Sequence, residues 1–176
     1  ISKDNIPVLF HDYTLNTNMV KDENGNWIDN FDLKIMDLTY DQISNYSIES
    51  LKPGSGYSDR FKNQKSVEGA KIPKLIDLFQ LVNKENYKDV FLNLEVKSNP
   101  NLKDVTPEPK EMVTTILKDI KDYNLEDRIV VTSFDWSILY ELKKQNPNVL
   151  RGFLTLQQNL GSTKKNIYEN SPWINK

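Results

Sequence analysis

From Ile72 onward, short apolar runs alternate with helical stripes, and no other feature of the chain restricts its fold as much. Ile72-Pro73-Lys74-Leu75 starts a helix in which Leu75, Leu78, Phe79 and Val82 recur at helical spacing. A strand over 90–96 follows and contains Phe91-Leu92-Asn93-Leu94-Glu95-Val96-Lys97. Asn99-Pro100 breaks it, and Thr106-Pro107-Glu108 opens the next helix with a proline in its first turn. Met112, Val113, Ile116, Leu117 and Ile120 form that helix's buried stripe. Arg128 to Phe134 reads as a β-branched strand, and Asp135 caps a helix that stops at Asn146-Pro147. Val149 to Leu156 reads as one more strand. Near-continuous apolar strands separated by helices argue for a parallel sheet with both faces covered.

An earlier apolar run, Ile6-Pro7-Val8-Leu9-Phe10, reads as a first strand and ends in His11-Asp12. The polar residues gather late in their strands: His11, Glu95, Lys97, Ser133 and Thr155. Chemistry placed at C-terminal strand ends favours a (β/α)₈ barrel over an open sheet. Such barrels typically need about 250 residues, so four strands make about half of one.

Side chains alternate across a strand, so Asn93, Glu95 and Lys97 share one side. A carboxylate and an ammonium placed together on an apolar strand form either a structural ion pair or a site for a cation and a phosphate. The single His of the chain, His11, is likewise either structural or catalytic on this reading.

Between the first strand and Ile72 runs a long connection, 13–71, without clear strand alternation. It carries the turn clusters Asp22-Glu23-Asn24-Gly25-Asn26 and Pro53-Gly54-Ser55-Gly56. Thr39 with Gln42 three residues on predicts the start of a short helix. A connection this long is expected to be an inserted subdomain or a functional loop. Tyr46, Tyr57 and Phe61 either pack its core or shape a pocket.

Lys+Arg number 23 and Asp+Glu 25, and no basic patch argues for nucleic acid. Nothing in the sequence is apolar for long enough to span a membrane. The absence of cysteine removes disulfides and thiolate metal sites from this stretch. A start at Ile1, with no signal-like segment, reads as a processed or truncated chain. Oligomeric state is left open, and a periplasmic or secreted location is favoured over a cytoplasmic one.

These residues together resemble the glycerophosphodiester phosphodiesterase family. Ser2-Lys3-Asp4-Asn5-Ile6-Pro7-Val8-Leu9-Phe10-His11-Asp12 is similar to the family's TKDGxPVVxHD stretch. Tyr13-Thr14-Leu15-Asn16-Thr17 resembles the xTLxRTT that follows, without its Arg. Ala70-Lys71-Ile72-Pro73-Lys74-Leu75 resembles riPtL, Asn93-Leu94-Glu95-Val96-Lys97 resembles NxExK, and Val131-Thr132-Ser133-Phe134-Asp135-Trp136 resembles vxSFDw. Each motif is weak alone; their joint order and spacing carry the resemblance.

The resemblance implies an α/β, TIM (β/α)₈ barrel, with roughly strands three to six of its eight present in this chain. Residues 1–176 would form part of one barrel domain, with 13–71 as the family's insertion subdomain. The family's His-Arg-Gly and Glu-x-Asp motifs, and its last two strands, are not found in this sequence. The implied activity is hydrolysis of a small-molecule glycerophosphodiester to glycerol 3-phosphate and an alcohol with a divalent metal, Ca²⁺ or Mg²⁺. Glu95 would be a metal ligand, His11 a general acid/base and Lys97 a catalytic phosphate-binding cation. Ser133 and Phe134 would line the substrate pocket, with Thr155 at its rim and Asp12 and Asn93 in support. The rival expectations are a phospholipase- or sphingomyelinase-D-like barrel phosphodiesterase and a non-catalytic barrel that binds a phosphodiester or a partner protein.

Overall fold

The computed structural model describes residues 1–102 and 104–155. The polar tail from Gln157, and Leu156 at the end of the expected last strand, lie outside the described residues. The chain divides into two compact units, 1–81 and 82–176. No helix among the described residues is long and apolar enough to cross a membrane.

The first unit is built around six buried side chains, Leu15, Val20, Ile28, Ile35, Ile43 and Ile72, each at most 8% exposed. Its backbone is held by isolated bridges, among them Thr14 to Lys34 and Lys21 to both Trp27 and Ser47. The expected strand over Ile6–Phe10 is reduced to a single antiparallel bridge between Val8 and Lys74. The Leu9 N–H donates to the Pro73 carbonyl at 2.9 Å, and the Leu75 N–H to the Pro7 carbonyl at 2.9 Å. Pro7 and Pro73 have no N–H of their own, so the pairing has no donors with which to extend.

Helix α1 (Tyr40–Ser44) starts as the Thr39/Gln42 spacing predicts. The Gln42 N–H donates to the Thr39 hydroxyl oxygen at 3.3 Å, and Gln42 Oε1 accepts the Thr39 N–H at 2.9 Å. Helix α2 (Gly56–Arg60), not foreseen in the sequence, begins on the Ser55 hydroxyl, which accepts the Ser58 N–H. In the Asp22 turn the carboxylate accepts the N–H of both Asn24 and Asn26, and Gly25 supplies the positive φ of 78°. Helix α3 (Leu75–Val82) follows at the expected place.

The second unit has the order β1 (Leu92–Glu95), α4 (Pro109–Asp122), β2 (Ile129–Ser133), α5 (Trp136–Gln145), β3 (Leu150–Phe153). The three strands form one parallel sheet in the order β1-β2-β3. The expectation of four sheet strands is therefore one too many among the described residues. Helix α4 buries Met112, Val113, Ile116 and Ile120, and α5 buries Ile138, Leu139 and Leu142. These stripes and the fully buried Ile129 and Val131 of β2 form the unit's core.

Helix α4 begins two residues later than expected. Pro109, not Pro107, occupies its first turn, behind Glu108 at the cap. It ends in a Schellman motif. Asn124 sits at φ 54°, and the Leu125 N–H donates to the Ile120 carbonyl at 3.0 Å. The Asn124 N–H donates to the Lys121 carbonyl, also at 3.0 Å. Ile120 and Leu125 are both fully buried, as that motif favours.

Arg128, just before β2, gathers the segment that leads into β1. Its guanidinium donates to the carbonyls of Val82, Tyr87 and Val90 at 2.9 Å each and to Asn83 Oδ1 at 3.2 Å. β1 itself is shorter than expected. Phe91 lies outside it and is 73% exposed, which corrects the expectation of an apolar strand over 90–96 covered on both faces. Phe91 shares the odd parity of Asn93 and Glu95, and the exposed side of β1 is the odd one.

Candidate active site

Two groups of polar side chains lie where the sequence points, one in each unit. In the first unit the apolar run 6–10 delivers His11 and Asp12 to the surface. The His11 ring is 70% exposed and Asp12 29%. His11 Nδ1 lies 2.8 Å from Asp12 Oδ1. A carboxylate can only accept, so the ring nitrogen facing it carries the proton, and in the neutral ring Nε2 keeps its lone pair. The other Asp12 oxygen, Oδ2, accepts the Asn16 side-chain amide at 2.6 Å. An imidazole in this state can take a proton at Nε2, and as imidazolium it can return one.

In the second unit Glu95 closes β1, and Lys97 follows two residues later. Lys97 Nζ lies 3.2 Å from Glu95 Oε1, with the side chains 27% and 35% exposed. A pair this open to water stabilises a fold by only about 0–1 kcal/mol. Stability alone is therefore a weak reason for the pair, and its charges are accessible to a ligand.

Partners across a parallel ladder share a face, and register pairs Glu95 with Thr132 and Thr132 with Gly152. Asn93 is on the same face, and its Oδ1 accepts the Thr132 hydroxyl at 2.9 Å. Thr132, not singled out in the sequence, thus braces Asn93 beside Glu95. Gly152 gives it room: a Cβ there would stand 2.7 Å from Thr132 Cγ2.

Ser133, expected to line a pocket, is fully buried. Its hydroxyl donates to the Val96 carbonyl at 2.8 Å and accepts the Asp135 N–H at 3.0 Å. With its donor and one acceptor position filled inside the protein, it supports the end of β1. Asp135 does more than cap α5. Its Oδ1 accepts the N–H and hydroxyl of Ser137, and its Oδ2 accepts the Ser98 hydroxyl at 2.7 Å. Ser133 and Asp135 thus hold the residues on either side of Lys97, namely Val96 and Ser98. Phe134 is half-buried, and Thr155 is exposed just beyond β3.

A hard divalent cation takes six or more oxygen ligands, usually from several carboxylates and waters. Among the described residues no three His, Asp or Glu side chains come together to hold a metal. Glu95 is a donor of the right type, but it stands as a single carboxylate paired with Lys97. These residues do not make a metal site by themselves, and no step is routed through one.

Three likenesses bear on this arrangement. A curated glycerophosphodiester phosphodiesterase of Caldanaerobacter subterraneus subsp. tengcongensis is 29% identical over 154 residues, covering 88% of this chain and 51% of the relative. The chain thus spans about half the length of the curated relative it matches. A crystal structure from Silicibacter pomeroyi DSS-3, assigned as a glycerophosphoryl diester phosphodiesterase, superposes with a TM-score of 0.80 at 30% identity, covering 88% of this chain and 52% of that one. A Galdieria sulphuraria structure, assigned as a glycerophosphodiester phosphodiesterase, shares the fold at TM-score 0.58 and 21% identity, over 88% of this chain and 49% of its own. The parallel α/β sheet is accordingly a portion of the (β/α)₈ barrel of these proteins. A sequence model of the Glycerophosphoryl diester phosphodiesterase family matches residues 1–170, with His11-Asp12, Asn93-Leu94-Glu95-Val96-Lys97 and Ser133-Phe134-Asp135 all inside the match, and the chain belongs to that family.

Proposed function

We propose that the full-length protein hydrolyses glycerophosphodiesters, releasing glycerol 3-phosphate and an alcohol. The observation that carries this reading is the solvent-accessible Glu95–Lys97 pair at the C-terminal end of a parallel strand, where barrel enzymes bind substrate. In hydrolysis a hydroxyl joins phosphorus, the bond from phosphorus to the alcohol oxygen breaks, and that oxygen gains a proton. His11 Nε2 is the group that moves a proton in this exchange, with Asp12 holding the opposite nitrogen. Lys97 binds the phosphoryl oxygens and offsets the charge that builds on them. Asn93 and Thr132 support Glu95 from the same sheet face, and Phe134 borders the substrate. The divalent cation expected for this chemistry, Ca²⁺ or Mg²⁺, would take Glu95 as one of its oxygen ligands and supply Lewis-acid charge. Residues 13–71 form the insertion subdomain of a single barrel domain in this reading.

The test is a rate measurement on the full-length protein with a glycerophosphodiester. His11→Ala is expected to lower the rate by about 10²–10⁴-fold with the fold retained. An unchanged rate would remove the acid/base role. Glu95→Gln is expected to weaken dependence on added metal; variants and parent equally indifferent to a chelator would argue against Glu95 as a ligand.

A further inference from the structure

We propose that Asn16 is a positioning residue. It fixes the Asp12 carboxylate so that His11 keeps its proton on Nδ1 and presents Nε2 to the reaction. The proposal rests on the reading of His11 as the acid/base group and adds to it the device that sets the ring's tautomer.

The His11 ring is 70% exposed, and among the described residues Asp12 is the hydrogen-bond partner of its nitrogens. An exposed ring held at one point is ordered only as well as that point is. Asp12 is itself an exposed-edge side chain, free to turn about its terminal torsion unless its second oxygen is also held. Asn16 Nδ2 supplies that hold at 2.6 Å.

Asn16 is in turn anchored on three sides. Its Oδ1 accepts the Asn18 N–H at 2.9 Å, and its carbonyl accepts the N–H of Met19 at 3.0 Å and of Val20 at 2.9 Å. Its neighbours Leu15 and Thr17 are buried, at 1% and 7% exposure. The rigid core of the first unit is thereby connected, through Asn16 and Asp12, to a ring that otherwise stands in solvent. A neutral amide also suits the task. It pins the carboxylate without bringing a positive charge, so the full negative charge stays available to the imidazolium that forms during proton transfer.

Two variants separate this role from a structural one. Asn16→Ala removes both side-chain bonds. Asn16→Asp keeps an oxygen for the Asn18 N–H, so the turn is preserved, but has no donor for Asp12. In the full-length protein, the ¹⁵N resonances of His11, assigned by their loss in His11→Gln, report the tautomer directly. They are read in alkaline buffer, at about pH 8.5. The parent is expected to show Nδ1–H with an unprotonated Nε2. Both Asn16 variants are expected to shift toward the Nε2–H form that unconstrained imidazole prefers. The rate constant kcat should fall about tenfold, with KM changed far less. Retention of the Nδ1–H form in Asn16→Asp would overturn the proposal. A shifted tautomer with undiminished kcat would leave Asn16 as the holder of Asp12 and count instead against His11 as the acid/base group.

Discussion

Replacing Asp135 is the most informative single disruption of the second unit. Asp135 is 1% exposed and accepts three hydrogen bonds, from the Ser137 N–H at 3.0 Å, the Ser137 hydroxyl at 2.6 Å and the Ser98 hydroxyl at 2.7 Å. Loss of the N-cap bond to α5 costs about 1 kcal/mol. Loss of the Ser98 bond, made to a charged acceptor, costs about 1.5–3 kcal/mol. Asp135→Ala should therefore destabilise the protein by about 3 kcal/mol. Ser98→Ala removes only the second contribution and should cost about 1.5 kcal/mol. The double variant should cost little more than Asp135→Ala alone, which gives a coupling of about 1.5 kcal/mol. Urea unfolding of the full-length protein, followed by circular dichroism, measures all four corners of this cycle. A coupling below about 0.3–0.5 kcal/mol would refute the claim that these two side chains hold the Lys97 segment to the end of β2.

Arg128→Ala should cost about 2–3 kcal/mol. Three carbonyls and Asn83 lose a charged donor, and the loss is partly offset by freed side-chain entropy; Arg128→Lys should recover less than half, because an ammonium cannot span the same acceptors. Equal stability of Arg128→Lys and the parent in urea melts would remove the clamp. Gly152→Ala should cost about 1–3 kcal/mol, because the new Cβ would sit 2.7 Å from the Thr132 methyl; a cost near zero would mean that Thr132 turns aside freely. The pKa of Asp119 is raised by burial, and its Oδ2 is buried without a hydrogen-bond partner among the described residues. An acid with a raised folded-state pKa binds its proton more tightly when folded, so its contribution weakens stability as pH rises from the unfolded value through the folded one. Asp119→Asn should then stabilise by less than about 1 kcal/mol at neutral pH, the group being only part-buried, with the gain shrinking in acid; a gain that grew in acid would reverse the assignment.

The parallel β–α–β order was legible because periodicity survives in local sequence: Met112, Val113, Ile116 and Ile120 mark one helix face wherever the helix packs. Boundaries were less legible. Pro107 and Pro109 are both possible first-turn residues, and only the backbone at Glu108 decides between them. The run 6–10 looks like a strand by composition, but two prolines limit it to one bridge, and the partner Lys74 lies far along the chain. His11, Glu95 and Lys97 stood out as charges or rings at apolar run ends. Their supports did not. Ser98 meets Asp135 across 37 positions, and Thr132 meets Asn93 across 39, distances over which no local pattern operates. Asn16 was visible only as an amide four residues after Asp12. The bonds of Ser133 were not legible, because a serine at a strand end looks the same whether it faces a ligand or a neighbouring carbonyl.

The central claim is that the Glu95–Lys97 pair, at the C-terminal end of β1, binds the phosphoryl group of the substrate. A crystal structure of the full-length protein with glycerol 3-phosphate bound tests it most directly. The account predicts a phosphoryl oxygen within about 3.2 Å of Lys97 Nζ. A phosphoryl group seated out of reach of Lys97 would contradict it.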